Sequence, residues 1–236
     1  GWSRLETPKT PSTEVTSWVG LAGLLSLHRP DIWGTSQEEA KRMVQDVYKE
    51  VTRRQTKTGG WSTFQNFDAS QSLNVGAYAS VMALVFLLQV ENGDAKWVVS
   101  NESKLKEQIR RGLEWILATY NGDIEGWEEI RGEGLNHELT TYNLLLLTQA
   151  KRQGFEYIKD RPEYKKARLV WLKKRNKETS DGPTHSMIKQ EQYVSEGNTQ
   201  DTRLEIYAVK LMRYPWFFLL ATVLGDDSSL PEEERN

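Results

Sequence analysis

Gln55-Thr56-Lys57-Thr58-Gly59-Gly60-Trp61, followed by a polar stretch and then by the apolar run from Ala79 to Val90, decides the fold of this chain. The same order, a Gly-Trp step and then an apolar segment, recurs at Gly1-Trp2 and at Gly126-Trp127. Each following segment carries an aromatic residue, Trp18, Tyr78 and Tyr142, and Tyr207 continues the series. The aromatics are 60, 64 and 65 residues apart. A period of that size marks one supersecondary unit stacked several times.

Superposing the units on these aromatics places Ser12, Ser72, Asn136 and Asp201 at one position. All four are strong N-cap residues, able to accept a bond from a free N–H at a helix start. Two residues on stand Glu14, Asn74, Glu138 and Arg203, all polar, and then Val15, Val75, Leu139 and Leu204, all apolar. The alignment therefore predicts four helix starts. The helices that follow are apolar nearly all round, over Val19 to Leu27, Ala79 to Val90 and Leu144 to Leu147. Such helices are buried, and the aromatic at the shared position is expected to pack in the core.

Between them lie amphipathic, charge-rich helices. The first is expected from Ser36 to Arg54, with Ser36 as N-cap and Glu38 and Glu39 in its first turn. The second runs from Ser103 to Tyr120, with Leu105, Ile109, Leu113 and Ile116 on one stripe. The third runs from Pro162 to Lys174, with Leu169 and Leu172 inward. The fold expected is all-α: an α/α toroid or an open α/α solenoid of about four helix-pair repeats of roughly 60–65 residues each. Residues 1–224 form a single repeat domain, and 225–236 an acidic, disordered tail. The polar stretch from Asn176 to Asn198 reads as a long loop.

Composition excludes several function classes. The formal net charge of −2 leaves no excess of Lys and Arg for phosphates, which argues against nucleic-acid binding. The absence of Cys removes disulfides and every thiolate metal site, and it fits a cytoplasmic location. The longest apolar stretch, around Val81 to Leu88, is too short to span a membrane. Gly1-Trp2 reads as the tail of a preceding repeat, so the chain is expected to be a piece of a longer protein.

The ends of the outer helices carry a further pattern. Gln55, Gly59 and Trp61 fit a Gln-x3-Gly-x-Trp motif. Arg111-Gly112, Trp115-Ile116, Tyr120 in the place of Gln, and Gly126-Trp127 form a second copy with a longer turn; Lys166-Ala167, Trp171-Leu172 and Asn176 form a weaker third. Over most of residues 1–224 the chain resembles the α/α toroids of terpenoid cyclases and protein prenyltransferases, whose squalene-cyclase branch carries such "QW" repeats. The side chain ending each outer helix is then expected to bond free carbonyls there, and the Gly to let the next Trp stack under the following helix.

The resemblance implies chemistry that the residues do not carry. Squalene-type cyclases use an Asp-x-Asp-Asp motif to protonate an alkene; the nearest acidic pair here, Asp226-Asp227, sits in the tail with no apolar pocket to raise its pKa. No Asp-rich Mg²⁺ motif is present, and the zinc set of the prenyltransferases lacks its Cys. Neither a cofactor nor a metal is expected. What remains is a polar and aromatic ring at the starts of the inner helices: Glu14, Trp18, Asn74, Tyr78, Asn136, His137, Glu138, Tyr142, Asp201, Arg203 and Tyr207. Helix N-termini there favour anions. Arg203 opposes the helix dipole and calls for a compensating anion, either Glu138 or a ligand. His137 has no His four residues on, so it is no metal pair.

The function expected is a non-catalytic α/α-toroid binding module, a small-ligand sensor or protein-interaction domain with a polar rim around an aromatic cavity. Its partner would be a small molecule or another protein, including another domain of the same parent protein. The alternative is a cyclase- or prenyltransferase-type enzyme, or a divergent polysaccharide lyase, using the cluster His137, Glu138 and Tyr142.

Overall fold

The computed structural model of the chain describes residues 12–28, 34, 36–63, 75–93, 95–129, 132 and 134–170. The helices among them are α1 (Thr13–His28), α2 (Gln37–Arg53), α3 (Ala77–Asn92), α4 (Glu102–Ala118), α5 (His137–Arg152) and α6, described over 162–170. Two 3-10 turns, Lys96–Val98 and Glu156–Asp160, follow α3 and α5. Extended backbone among the described residues pairs only as isolated bridges, Gln55 with Trp61, Ser62 with Val75 and Asn121 with Gly126. The described part is therefore all-α. No described helix is long and apolar enough to cross a membrane.

Local chemistry explains the helix starts. The Ser36 hydroxyl accepts the Glu39 N–H at 3.3 Å, and the Glu39 carboxylate accepts the Ser36 N–H at 2.9 Å, a reciprocal capping box. These bonds from Ser36 hold the Glu39 carboxyl below the usual range. Asn101 caps α4 by accepting the Lys104 N–H at 2.9 Å, so that helix begins at Glu102 and ends at Ala118, slightly ahead of the Ser103-to-Tyr120 expectation. Asn136 caps α5 through Leu139 N–H at 3.0 Å. In α1 the Ser12 carbonyl accepts both the N–H and the hydroxyl of Thr16, at 3.0 and 2.6 Å.

The third helix departs from the expected start. Its N-cap is Gly76, not Ser72, which lies outside the described residues. The Gly76 N–H is bonded to the Trp61 carbonyl at 3.0 Å, and Val75 bridges to Ser62. Backbone committed to that pairing cannot also begin a helix four residues earlier.

Packing alternates along the chain. α2 buries Ala40, Val44, Val47 and Val51 and packs on α1. α4 buries the expected stripe of Leu105, Ile109, Leu113 and Ile116 and packs on α3. α6 meets α5 where the Thr148 and Tyr164 hydroxyls share a hydrogen bond of 3.0 Å. α1 and α5 both pack on α3, which is the most buried helix and carries Leu84, Phe86 and Leu87 with no exposure. An inner row of α1, α3 and α5 is thus backed by α2, α4 and α6.

Three expected core positions are not core. Trp18 is 41 % exposed and Leu25 56 % exposed, because α1 has an inner neighbour on one side only among the described helices. Leu169 is 39 % exposed, while Tyr164 and Ala167 turn the buried face of α6 inward; Leu172 lies outside the described residues. The third weak repeat copy is outside them from Trp171 onward, as are the 176–198 loop, the 225–236 tail and the fourth unit.

The Gly-Trp turns repeat atom by atom. Trp61 and Trp127 are fully buried, and their indole N–H groups donate to Val51 and Ile116 carbonyls, each at 2.8 Å. Their backbone N–H groups donate to hydroxyls of the next inner helix, Ser80 at 2.9 Å and Thr140 at 3.1 Å. Their carbonyls accept from the cap residues Gly76 and Asn136, both at 3.0 Å. The free carbonyls at the outer-helix ends are therefore met by the indoles. Gln55, expected to meet them, instead donates its amide to Gly59 and Gln108 carbonyls, both at 2.8 Å, tying the turn to α4. This geometry corrects the repeat register: the equivalent caps are Ser12, Gly76 and Asn136, and Trp18 and Tyr142 correspond to Met82 rather than to Tyr78.

Candidate functional site

Counting from the three caps, residues two on are Glu14, Tyr78 and Glu138, and residues six on are Trp18, Met82 and Tyr142. Positions two and six lie on one helical face, because four residues is close to one turn. Gly20, eight on from Ser12, points the other way: a Cβ there would meet the Val47 side chain of α2 at 2.5 Å. The face carrying positions two and six is consequently turned away from the outer helices. On α3 it is relieved of burial at Tyr78 and Val85, whereas the residues between them, from Ala79 to Leu84, are buried.

The starts of α3 and α5 meet at this face. The Tyr78 hydroxyl, in the first turn of α3, lies 3.5 Å from Asn136 Oδ1 and 3.4 Å from Glu138 Oε2 on α5. One phenolic proton serves one acceptor at a time, so the two oxygens share this donor. The ring of Tyr142, one turn further along α5, meets Tyr78 edge to face with centroids 6.2 Å apart and planes at 78°. All four residues are half-buried. A carboxylate, an amide, a phenolic hydroxyl and two aromatic rings are thus gathered between adjacent helix starts.

The structure brings together four of the residues singled out from sequence, Tyr78, Asn136, Glu138 and Tyr142. Glu14 and Trp18 stand at equivalent positions on α1, on the far side of α3. The backbone of His137 opens α5. Asn74, Asp201, Arg203 and Tyr207 lie outside the described residues. Among the described residues no group of three or more His, Asp or Glu side chains is placed to hold a metal.

Sequence reading missed two supporting elements. Ser80 and Thr140 hold the Trp backbone and so set how far each inner helix advances; the signal was a hydroxyl residue four after each cap, shared with Thr16. Glu128 holds the segment leading into α5: its carboxylate accepts Gly132 and Gly134 N–H groups at 3.2 and 3.1 Å and the Asn121 amide at 3.2 Å. No pattern marks it among five neighbouring acidic residues.

Comparison with protein-family models, with curated proteins and with solved structures finds no match to this chain.

Proposed function

We propose that the chain is a non-catalytic binding module of the α/α toroid or open-solenoid type, a small-ligand sensor or protein-interaction domain acting in the cytoplasm. The alternation of inner and outer helices and the repeated Gly-Trp turns support the architecture. The carrying observation for binding is the half-buried cluster of Tyr78, Tyr142, Asn136 and Glu138. Aromatic rings beside a few convergent polar groups are the usual make-up of a ligand site. The absence of an Asp-x-Asp-Asp motif and of Cys places binding ahead of cyclase or prenyl-transfer chemistry.

Native mass spectrometry of the protein from its own host tests this reading, alongside Tyr142→Ala and Glu138→Gln. The wild type is expected to carry a small molecule or a partner protein that both variants lose while remaining folded. A wild type that carries neither overturns the reading, and so does a ligand retained unchanged by both variants.

A further inference from the structure

The chain contains two Asn-Gly steps, Asn92-Gly93 and Asn121-Gly122. In such a step the backbone nitrogen of the Gly can attack the side-chain amide carbon of the Asn, because no Cβ stands in its path. The fold treats the two steps differently. Asn92 is the last residue of α3; its side-chain amide donates to the Leu88 carbonyl at 3.2 Å, and the Gly93 N–H donates to the Gln89 carbonyl at 2.9 Å. Both groups that would react are engaged in closing a helix end.

Asn121-Gly122 opens the turn ahead of Trp127. Asn121 and Gly126 exchange backbone bonds across that turn, at 2.9 and 3.2 Å. Gly122 is exposed, and among the described residues its N–H makes no hydrogen bond. Asn121 Oδ1 accepts the Asp123 N–H at 3.0 Å. That bond draws the side-chain carbonyl back over the Gly122 backbone, and its donor is placed to stabilise negative charge developing on the oxygen.

The same side chain also steadies its surroundings. Its amide donates to Glu128 Oε2 at 3.2 Å, while Glu128 Oε1 accepts the Gly132 and Gly134 N–H groups at 3.2 and 3.1 Å. Asn121 thus holds the carboxylate that holds the segment leading to the cap Asn136.

We propose that Asn121 is a self-modifying site, a slow and irreversible switch that loosens this segment. The Gly122 nitrogen gives its proton to a base in the solvent and bonds to Asn121 Cγ. The Cγ–Nδ2 bond breaks, and the nitrogen leaves as ammonia with a proton taken from water. Water then opens the cyclic imide at either carbonyl, leaving an aspartyl or isoaspartyl residue at position 121. A neutral donor is thereby replaced by a carboxylate facing the Glu128 carboxylate, and like charges that close repel. The isoaspartyl product also routes the backbone through one extra carbon, which breaks the pairing of Asn121 with Gly126.

Peptide mapping by mass spectrometry of the full chain, aged at mildly alkaline pH, tests the chemistry. Asn121 is expected to convert while Asn92 stays intact in the folded protein. Conversion is expected to quicken as pH rises, since the attacking nitrogen must lose its proton. Gly122→Ala is expected to fold unchanged, because a Cβ there meets nothing within 4 Å and φ is not positive, and to convert several-fold more slowly. Hydrogen exchange tests the switch. Asn121→Asp and the aged wild type are expected to lose protection at the Gly132 and Gly134 amides, and aged Gly122→Ala to keep it. Equal conversion of the two Asn residues, an Asn121 that stays intact, or unchanged protection in Asn121→Asp overturns the proposal.

Discussion

The indole N–H of Trp61 donates to the carbonyl of Val51 at 2.8 Å, closing the end of α2 with the residue that completes the turn leaving it. Trp127 repeats the bond to Ile116 at the end of α4. A helix end leaves several carbonyls without intrahelical partners, and here a buried aromatic supplies one donor while filling the space beneath Gly112 of the next outer helix. Trp61→Phe keeps most of the volume and loses the bond, so a loss of about 1 kcal/mol is expected. Trp61→Ala also leaves a cavity and is expected to cost about 3–5 kcal/mol. Urea unfolding measures both; equal losses would mean that the bond, rather than the volume, dominates.

Gly59 and Gly132 both have positive φ, +106° and +92°, yet only Gly59 is crowded. A Cβ on Gly59 would run into the Arg111 carbonyl, whereas around Gly132 nothing lies within 4 Å. Gly132→Ala is expected to cost about 1 kcal/mol, from backbone strain alone. Gly59→Ala is expected to cost distinctly more and to loosen the bonds that Arg111 makes to the Thr56 and Lys57 carbonyls, both at 2.9 Å. Thermal unfolding of the two variants should separate them clearly. At Gly126 the requirement is space rather than angle: its φ is ordinary, and a Cβ would meet Leu135 and Thr140.

Glu50 accepts from Arg53 at 2.9 Å and from the buried Arg54 at 3.0 Å. Burial raises its carboxyl, but the two guanidinium bonds outweigh that and hold it below the usual carboxylate range. A depressed folded-state pKa contributes stability above the unfolded pKa, and that contribution is lost as pH falls through the folded value. Wild-type stability is therefore expected to drop below about pH 4.5, and Glu50→Gln to lose stability at pH 7 while showing a shallower acid limb. Parallel pH dependences for the two proteins would rule this out.

Tyr157 is pushed up to about 12, first by burial and then by the Glu114 carboxylate nearby. Among the described residues its hydroxyl makes no hydrogen bond of good geometry, and the Glu114 carboxylate is the acceptor nearby. A raised folded-state pKa means that stability is intact below the unfolded value near 10 and is lost as pH rises from there through about 12. Tyr157→Phe is expected to be neutral or slightly stabilising at pH 7 and to lose less stability between pH 10 and 12. Ultraviolet titration at the phenolate band should show late-ionising tyrosine in the wild type, with that late component reduced in Tyr157→Phe; a late component unchanged by the variant would contradict the assignment.

Much of the fold was legible in the chain because it depends on local pattern. Ser36 with Glu39, Asn136 as a cap, and Leu105, Ile109, Leu113 and Ile116 on one stripe all follow from residue type and spacing. The start of α3 did not follow, since its cap is chosen by a bond between Gly76 and Trp61, fifteen residues apart, rather than by its own side chain. The candidate site was half legible. The residue types at the helix starts were marked, but the register that pairs Tyr78 with Asn136 and Glu138 comes from hydroxyls at Ser80 and Thr140 gripping the Trp backbones.

The sequence by itself determined that this protein is built of helices in repeating pairs, because periodicity, capping and the Gly-Trp step are properties of neighbours along the chain. Only the tertiary structure decided which face of each helix is left uncovered. Trp18 and Trp61 are equally apolar, yet one is 41 % exposed on α1 and the other has no exposure at all. Burial is set by what packs alongside, and no local pattern contains that neighbour.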